Sequence, residues 1–230
     1  MNLRKQLQDL RRTLHESIGS DRYSRPGLND LDNKLSKYLN FRNGVFIEAG
    51  GNDGFTQSNT YRLEKTKGWT GVLVEGIPEL YEKARRRRSR SKVFNNALVP
   101  FGSEGTEVEM VYGNLMSIVV GAMGTTDADE DHIRKSREHE PTQQPYRVKV
   151  PGRTLSSIID EAGLQKIDFF SLDVEGFEAP VLRGIDFKRH RPTLILVEAR
   201  FPAQIDEILG SYYEVIDHPT KMDVLYRLRK

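Results

Sequence analysis

The sequence contains no cysteine, which excludes disulfides, thiolate metal centres and a cysteine nucleophile, and suits a reducing cytoplasm. Its single tryptophan, Trp69, precedes an apolar run and is expected to serve packing, not base stacking. No apolar run approaches the roughly twenty residues that span a bilayer, and the opening Met-Asn-Leu-Arg-Lys-Gln-Leu lacks the apolar stretch of a secretion signal. Neither charge is in marked excess: 35 basic residues face 33 acidic ones for a net charge of +2, so overall charge makes no case for nucleic acid. The expectation is a soluble, cytoplasmic protein with no membrane span, and 230 residues suffice for one α/β domain with or without an appendage.

What is present is regular alternation. Leu3, Leu7, Leu10 and Leu14 recur at helical spacing and predict an amphipathic helix over 2–18, a candidate homodimer contact or a helix packed on its own domain. A hinge rich in Ser, Arg, Pro and Gly follows at 20–27, and Leu31, Leu35, Tyr38 and Leu39 restart a helical stripe, giving an N-terminal helical segment over 1–40. Over 41–230, strand-like runs at 44–49, 71–75, 92–99, 167–172 and 193–198 alternate with helix-like stretches at 57–67, 78–88, 154–162 and 178–184. Such alternation predicts an α/β fold with a mostly parallel sheet and helices on both faces. Runs at 212–217 and 223–229 are separated by too few residues for a crossover helix and must form a C-terminal antiparallel hairpin. An insert at about 103–150 carries possible strands at 106–112 and 145–150 around a polar segment expected to be mobile.

The most informative stretch is Val45 to Gly54, Val-Phe-Ile-Glu-Ala-Gly-Gly-Asn-Asp-Gly, where an apolar run stops at a glycine-rich turn. Gly50, Gly51 and Gly54 permit positive φ and close approach of a ligand, and a helix starting near Ser58 would turn its free N–H groups to the same crevice. Glu75 ends the next apolar run, at the spacing expected of an acid that grips a ribose. These features indicate a nucleotide-type cofactor and leave a nicotinamide-linked dehydrogenase open on fold alone.

In order along the chain, Glu48-Ala-Gly-Gly-Asn-Asp-Gly54, Ser58-Asn-Thr-Tyr61, Gly68-Trp-Thr-Gly-Val-Leu-Val-Glu75, Asn95-Asn-Ala97 and Asp168-Phe-Phe-Ser-Leu-Asp-Val-Glu-Gly-Phe-Glu178 resemble the FkbM family of methyltransferases. The resemblance implies a Rossmann-like class I methyltransferase fold, S-adenosylmethionine as cofactor, and O-methylation of a sugar, glycan or natural-product hydroxyl. The sequence departs from the family in having Gly-Ile-Pro after Glu75, where Pro-Asn-Pro is frequent. Carried onto these positions, the family pattern assigns Glu48, Gly50, Gly54 and Ser58 to the methionine end, Glu75 to the ribose hydroxyls and Asn96 to the adenine edge. Asn52 and Asp53 would close the turn, and Asp173 would sit beside the transferred methyl.

The densest group of acids is Asp173, Glu175 and Glu178, directly after a predicted strand, where open α/β sheets place their ligand crevice. Asp173 or Glu175 is a candidate base for a hydroxyl proton, and crowding of carboxylates would raise one of their pKa values. Glu198, ending the fifth strand, is a candidate third catalytic carboxylate. Three such groups could alternatively hold a hard divalent cation such as Mg²⁺, although no metal ligand is assigned. Glu178 has the competing role of a cap. His132 and His139 are alternative bases expected to be solvated, and Tyr112, Asn114 and Ser117 are candidate lining for an acceptor pocket. The run Arg85 to Arg88 is expected to be a solvated helix end; it is also the one encouragement for a nucleic-acid 2′-hydroxyl methyltransferase, and a non-catalytic cofactor-binding subunit is the remaining alternative.

Overall fold

Alternation of apolar side chains builds one sheet with two buried faces. A computed structural model describes residues 3–139 and 144–230. The chain begins with α1 (Leu3–Ser17) and α2 (Leu31–Ser36), then enters β1 (Val45–Ala49), α3 (Tyr61–Lys67), β2 (Thr70–Val74), α4 (Pro78–Arg87) and β3 (Ser91–Phe94). An intervening stretch holds β4 (Ala97–Leu98), β5 (Glu107–Val111), β6 (Ile118–Val119), α5 (Thr126–His139) and β7 (Arg147–Arg153). The main unit resumes with α6 (Leu155–Ala162), β8 (Phe169–Leu172), α7 (Glu178–Leu182), β9 (Leu194–Glu198), α8 (Pro202–Leu209), β10 (Tyr213–Asp217) and β11 (Asp223–Leu228).

The main sheet has seven strands in the order β10-β11-β9-β8-β1-β2-β3. All of its pairings are parallel except those of β11, which runs antiparallel to both β9 and β10. The C-terminal hairpin is therefore real, and its last strand inserts between β9 and β10. Because successive strand residues point to opposite faces, Ile47, Val72, Phe170, Ile195 and Val224 pack with α6, α7 and α8, whereas Phe46, Leu73, Phe169, Leu196 and Leu225 pack with α2, Leu63 of α3 and Trp69. The class I methyltransferase layout follows: a mostly parallel sheet, helices on both faces, and a reversal of strand order between β1 and β8. Leu31, Leu35 and Leu39 belong to the same buried cluster as Phe46 and Trp69.

Two expectations are corrected here. The single strand expected at 92–99 is two strands, because the Asn95 amide donates to the carbonyls of Glu75 and Gly76 at 2.9 and 2.8 Å, and the chain then leaves the main sheet. β4 joins a second sheet of order β4-β7-β5-β6, pairing parallel with β7. The polar segment of the insert, expected to be mobile, carries the fourteen-residue helix α5, with Asp129 accepting bonds from the N–H groups of Gly121 and Met123. Residues 140–143 of that segment, and residue 2 of the predicted first helix, lie outside the described residues. Among the described residues, no helix is long and apolar enough to cross a membrane.

Candidate functional site

The reversal of strand order between β1 and β8 opens a crevice at the carboxyl ends of the strands, where such sheets bind ligands. Gly50 turns the chain there at φ +82°, and a Cβ on it would overlap the carbonyl oxygen of Asp173. Gly50 and Gly51 both donate to the Val74 carbonyl at 3.1 Å, which fastens the turn to the end of β2. Glu75 lies next to it. Its carboxylate accepts from the backbone N–H of Asn52 at 2.7 Å and of Ile77 at 2.8 Å, and burial pushes its pKa up to about 7.

A first cleft runs over this turn, with Gly50, Asn52 and Glu75 on one side and Asn96, Met110 and Ser117 among its other walls. Met110 and Ser117 come from the insert, so the second sheet helps to close the cleft. The Asn96 amide donates to the Pro151 carbonyl of β7 at 3.1 Å. A second cavity adjoins the first through shared walls of Gln57, Asn114, Leu115, Asp173 and Glu175. Asn52, Gln57, Asn114 and Glu175 all have positive φ, between 45° and 59°. Left-handed backbone is unfavourable for residues with a Cβ, and its concentration around one cleft is the pattern of a ligand site.

The carboxylates meet at the junction of the two cavities. Asp173, Glu175 and Glu198 each offer an oxygen, all within 4.8 Å of one another. Burial, followed by the charges of Glu198 and Glu175, raises Asp173 well above the usual carboxylate range. Burial and Glu198 likewise push Glu175 to about 7, against the pull of the Arg200 guanidinium bonded to it. Arg200 also lies 3.8 Å from Glu198. Glu178 accepts the N–H groups of Gly176 at 2.9 Å and Val174 at 3.2 Å, which holds the loop carrying Glu175. This is the capping role.

Of the residues singled out in the sequence, Gly50, Asn52, Glu75, Asn96, Asp173 and Glu175 line the first cleft, and Glu198 lines the second with Asp173 and Glu175. Asn114 and Ser117 line the first cleft as well, whereas Tyr112 stacks on Tyr146 with ring centroids 4.9 Å apart. Glu48, Asp53, Gly54 and Ser58 are not among the lining residues. Glu48 accepts from Ser58 Oγ at 2.9 Å, Thr60 Oγ1 at 2.6 Å, the Asn59 N–H at 2.9 Å and Arg88 at 3.3 Å. Ser58 Oγ also accepts the N–H of Tyr61 at 3.0 Å. The N–H groups ahead of α3 are thereby satisfied inside the protein and do not face the crevice, contrary to the sequence expectation. Asp53 closes the turn by accepting from Phe55 and Thr56 at 3.0 and 2.8 Å.

The arginine run is corrected too. Arg88 is fully buried, bonding Glu64 at 2.9 Å and Thr60 at 2.7 Å besides Glu48, and Arg87 pairs with Asp53. Half of the run therefore holds the glycine turn from behind. His132 is not solvated: it is 5% exposed, with Nε2 at 3.4 Å from Glu175, and burial followed by the charge of Arg200 lowers its pKa. The side chain of His139 lies outside the described residues. Sequence reasoning missed Arg200, two residues beyond Glu198, and Gln57, which walls both cavities. Arg200 could have been found from its place at a strand's carboxyl end; Gln57, in an ordinary polar loop, carried no signal.

Solved structures with similarity to the chain include a TehB-like SAM-dependent methyltransferase from Corynebacterium glutamicum, at 10% identity with 97% of each chain covered and a TM-score of 0.45. A precorrin-6y C5,15-methyltransferase from Geobacter metallireducens is 10% identical over 92% of this chain and 97% of its own, with a TM-score of 0.46. A SAM-dependent methyltransferase from Thiobacillus denitrificans in complex with S-adenosyl-L-homocysteine is 13% identical over 90% of this chain and 72% of its own, with a TM-score of 0.36. No curated protein matches the chain. The sequence model of the methyltransferase FkbM domain matches residues 48–218, well over half of the chain. That span takes in the turn after β1, Glu75 and all the carboxylates of the junction, and the chain belongs to the FkbM family of S-adenosylmethionine-dependent methyltransferases.

Proposed function

We propose that this S-adenosylmethionine-dependent methyltransferase transfers a methyl group to a hydroxyl, that of a sugar, glycan or natural-product acceptor. The observation that carries the proposal is the pair of adjoining cavities with Asp173 and Glu175 in their shared wall. One cavity takes the cofactor and the other the acceptor. The first cleft suits the cofactor by its chemistry: Glu75 presents a carboxylate for the ribose hydroxyls, and Val74, Leu98 and Met110 offer an apolar surface for the adenine. Gly50 and Asn52 border the methionine end, while Glu48, Asp53, Gly54 and Ser58 hold the turn that shapes it. When bound, S-adenosylmethionine supplies a methyl already activated by a sulfonium.

The protein must then align the acceptor oxygen and take its proton. Asp173 and Glu175 stand where both ligands meet; burial raises the Asp173 carboxyl and pushes Glu175 up to about 7, which suits a general base. Glu198 completes the group. Arg200 supplies a positive charge beside Glu175 and 3.8 Å from Glu198. The arginine run gives little support to a nucleic-acid acceptor, because Arg87 and Arg88 are bonded internally and Arg85 pairs with Glu82. We read residues 1–40 as a helical segment ahead of a catalytic unit over 41–230, the protein as cytoplasmic, and α1 as a dimer contact.

The test is a titration with S-adenosylhomocysteine, followed by incubation of sugars and glycans with methyl-labelled S-adenosylmethionine. Label recovered as an alkali-stable methyl ether, and lost in Asp173→Asn and Glu175→Gln, is the expected result. Label on nitrogen or carbon, or on RNA ribose, would overturn the hydroxyl assignment.

A further inference from the structure

The insert does more than wall the cofactor cleft: it seats itself on the loop that carries Glu175. That loop, between β8 and α7, has left-handed backbone at Glu175 (φ +53°) and Gly176 (φ +93°). A Cβ on Gly176 would come within 2.6 Å of Met123 Cε and 3.1 Å of the Ala122 carbonyl oxygen, and Phe177 packs on the cluster of Ile118, Ala122 and Ile133. Asp129 of α5 fixes the same stretch of the insert by accepting the N–H groups of Gly121 and Met123. About one turn further along α5, His132 reaches Glu175 itself.

His132 is buried, with Nε2 at 3.4 Å from Glu175 Oε2. Among the described residues Nε2 has no hydrogen-bond partner, although it is out of contact with solvent. The backbone of Met116 bonds the ring, and that bond therefore belongs to Nδ1. A neutral ring that donates from Nδ1 presents a lone pair at Nε2. Burial and then the charge of Arg200, joined by Lys135, favour the neutral ring over the opposing influence of Met116 and Asp129. The lone pair thus faces an oxygen that also accepts from Arg200. Two facing acceptors attract one another only with a proton between them. Glu175, pushed up to about 7 by burial and the charge of Glu198, is the group able to carry it.

We infer that His132 is a positioning residue: its Nε2 accepts from Glu175 Oε2, so that imidazole and carboxyl hold one proton between them and lock the insert to the loop that carries Glu175. When the acceptor hydroxyl gives up its proton, the O–H bond breaks with its electron pair left on the acceptor oxygen, the proton bonds to the Glu175 carboxylate, and the bond to His132 closes. A buried acceptor that is unmet beside the ionised carboxylate becomes satisfied, so the contact favours proton uptake. This inference rests on the methyltransferase reading of the same site.

The experiment follows the imidazole nitrogens of the full chain by NMR, with ¹⁵N-labelled histidine and saturating S-adenosylhomocysteine, from about pH 5.5 to about pH 8.5. His132→Asn identifies the His132 signals. His132 should stay neutral with its proton on Nδ1, and its Nε2 signal should move with the titration of Glu175, at a midpoint of about 7. In Glu175→Gln, whose amide donates at every pH, the signal should stay constant; a purely structural histidine would show no such difference. In urea unfolding, the pH dependence contributed by Glu175 should shift to lower pH in the His132→Asn background, because the neutral carboxyl loses its acceptor. An Nε2 signal indifferent to pH, a response that persists in Glu175→Gln, a proton found on Nε2, or an unshifted pH dependence in His132→Asn would overturn the inference. Failure of S-adenosylhomocysteine to bind would count against the cofactor assignment, and the same titration on the chain alone would still decide the pairing. An intact Nε2 response with no hydroxyl ever methylated would count against the hydroxyl reading, so the failures are distinguishable.

Discussion

Glu75 has a structural and a ligand-facing role, and a substitution separates them. Its carboxylate satisfies two buried N–H groups, so Glu75→Ala should cost about 1–3 kcal/mol for the donors left unpaired and should weaken S-adenosylhomocysteine binding at least about tenfold. Calorimetry and urea unfolding on the same preparation check both. Glu75→Gln, which keeps one acceptor oxygen, should recover part of the stability and little of the affinity. Glu175 has a pH signature. Its pKa is about 7 when folded against an ordinary glutamate value of 4.5, so the folded protein binds the extra proton between those values and this group's contribution to stability falls as pH rises through that window. The stability of the wild type relative to Glu175→Gln should therefore decline from pH 5 to pH 7 by up to about 1.4 kcal/mol per pH unit, and level off above. Equal pH dependence of the two proteins in urea unfolding would show that Glu175 does not hold its proton. The acids at strand ends were legible because their place in an α/β sheet is fixed by topology; which of them would be buried together was not, since that depends on Arg200 and on the loop held by Glu178.

At the scale of elements, the C-terminal end of α4 has a function that its composition concealed. Four consecutive arginines suggest solvent, but α4 rotates Arg88 beneath the glycine turn, where it neutralises Glu64 and lies 3.3 Å from Glu48. Removing one partner of a buried ion pair leaves the other uncompensated, so Arg88→Ala should destabilise the protein by about 3–5 kcal/mol. Arg86→Ala, at a position 78% exposed, should stay within about 0.5 kcal/mol. Urea unfolding of the two variants decides the matter, and a mild Arg88 variant would mean that the turn is held by Glu48, Ser58 and Thr60 without it. Sequence periodicity could not separate Arg88 from its neighbours because all four side chains are identical. The insert was similarly opaque: α5 is a polar helix with a weak apolar stripe, and the place where the chain leaves the main sheet between β3 and β4 is set by two hydrogen bonds from Asn95, not by a break in hydrophobicity.

For the whole molecule, the antiparallel hairpin that ends the sheet was readable from the spacing of the last two strands, because a five-residue connection permits only antiparallel neighbours; the order of the other strands was not read. What the spacing did not reveal is which way α1 faces. Its polar side is turned toward the protein: the Arg12 guanidinium lies 3.9 Å from the centroid of the Phe55 ring, and Glu16 accepts from Ser24 Oγ at 2.6 Å. Leu7, Leu10 and Leu14 consequently point outward, 58%, 57% and 59% exposed, with Ile18 beyond them at 77%. The alternating steps of three and four among Leu7, Leu10 and Leu14 are those of a coiled-coil seam, and a second copy of α1 would cover them with like side chains. We expect sedimentation equilibrium to show a dimer, and Leu10→Glu with Leu14→Glu to give a monomer that still binds S-adenosylhomocysteine, since none of the described residues of α1 lines either cavity. A wild type that remains monomeric at tens of micromolar, or a variant that stays dimeric, would remove α1 as the contact, whereas a monomeric variant with lost cofactor binding would show that the seam supports the turn through Arg12 and Phe55.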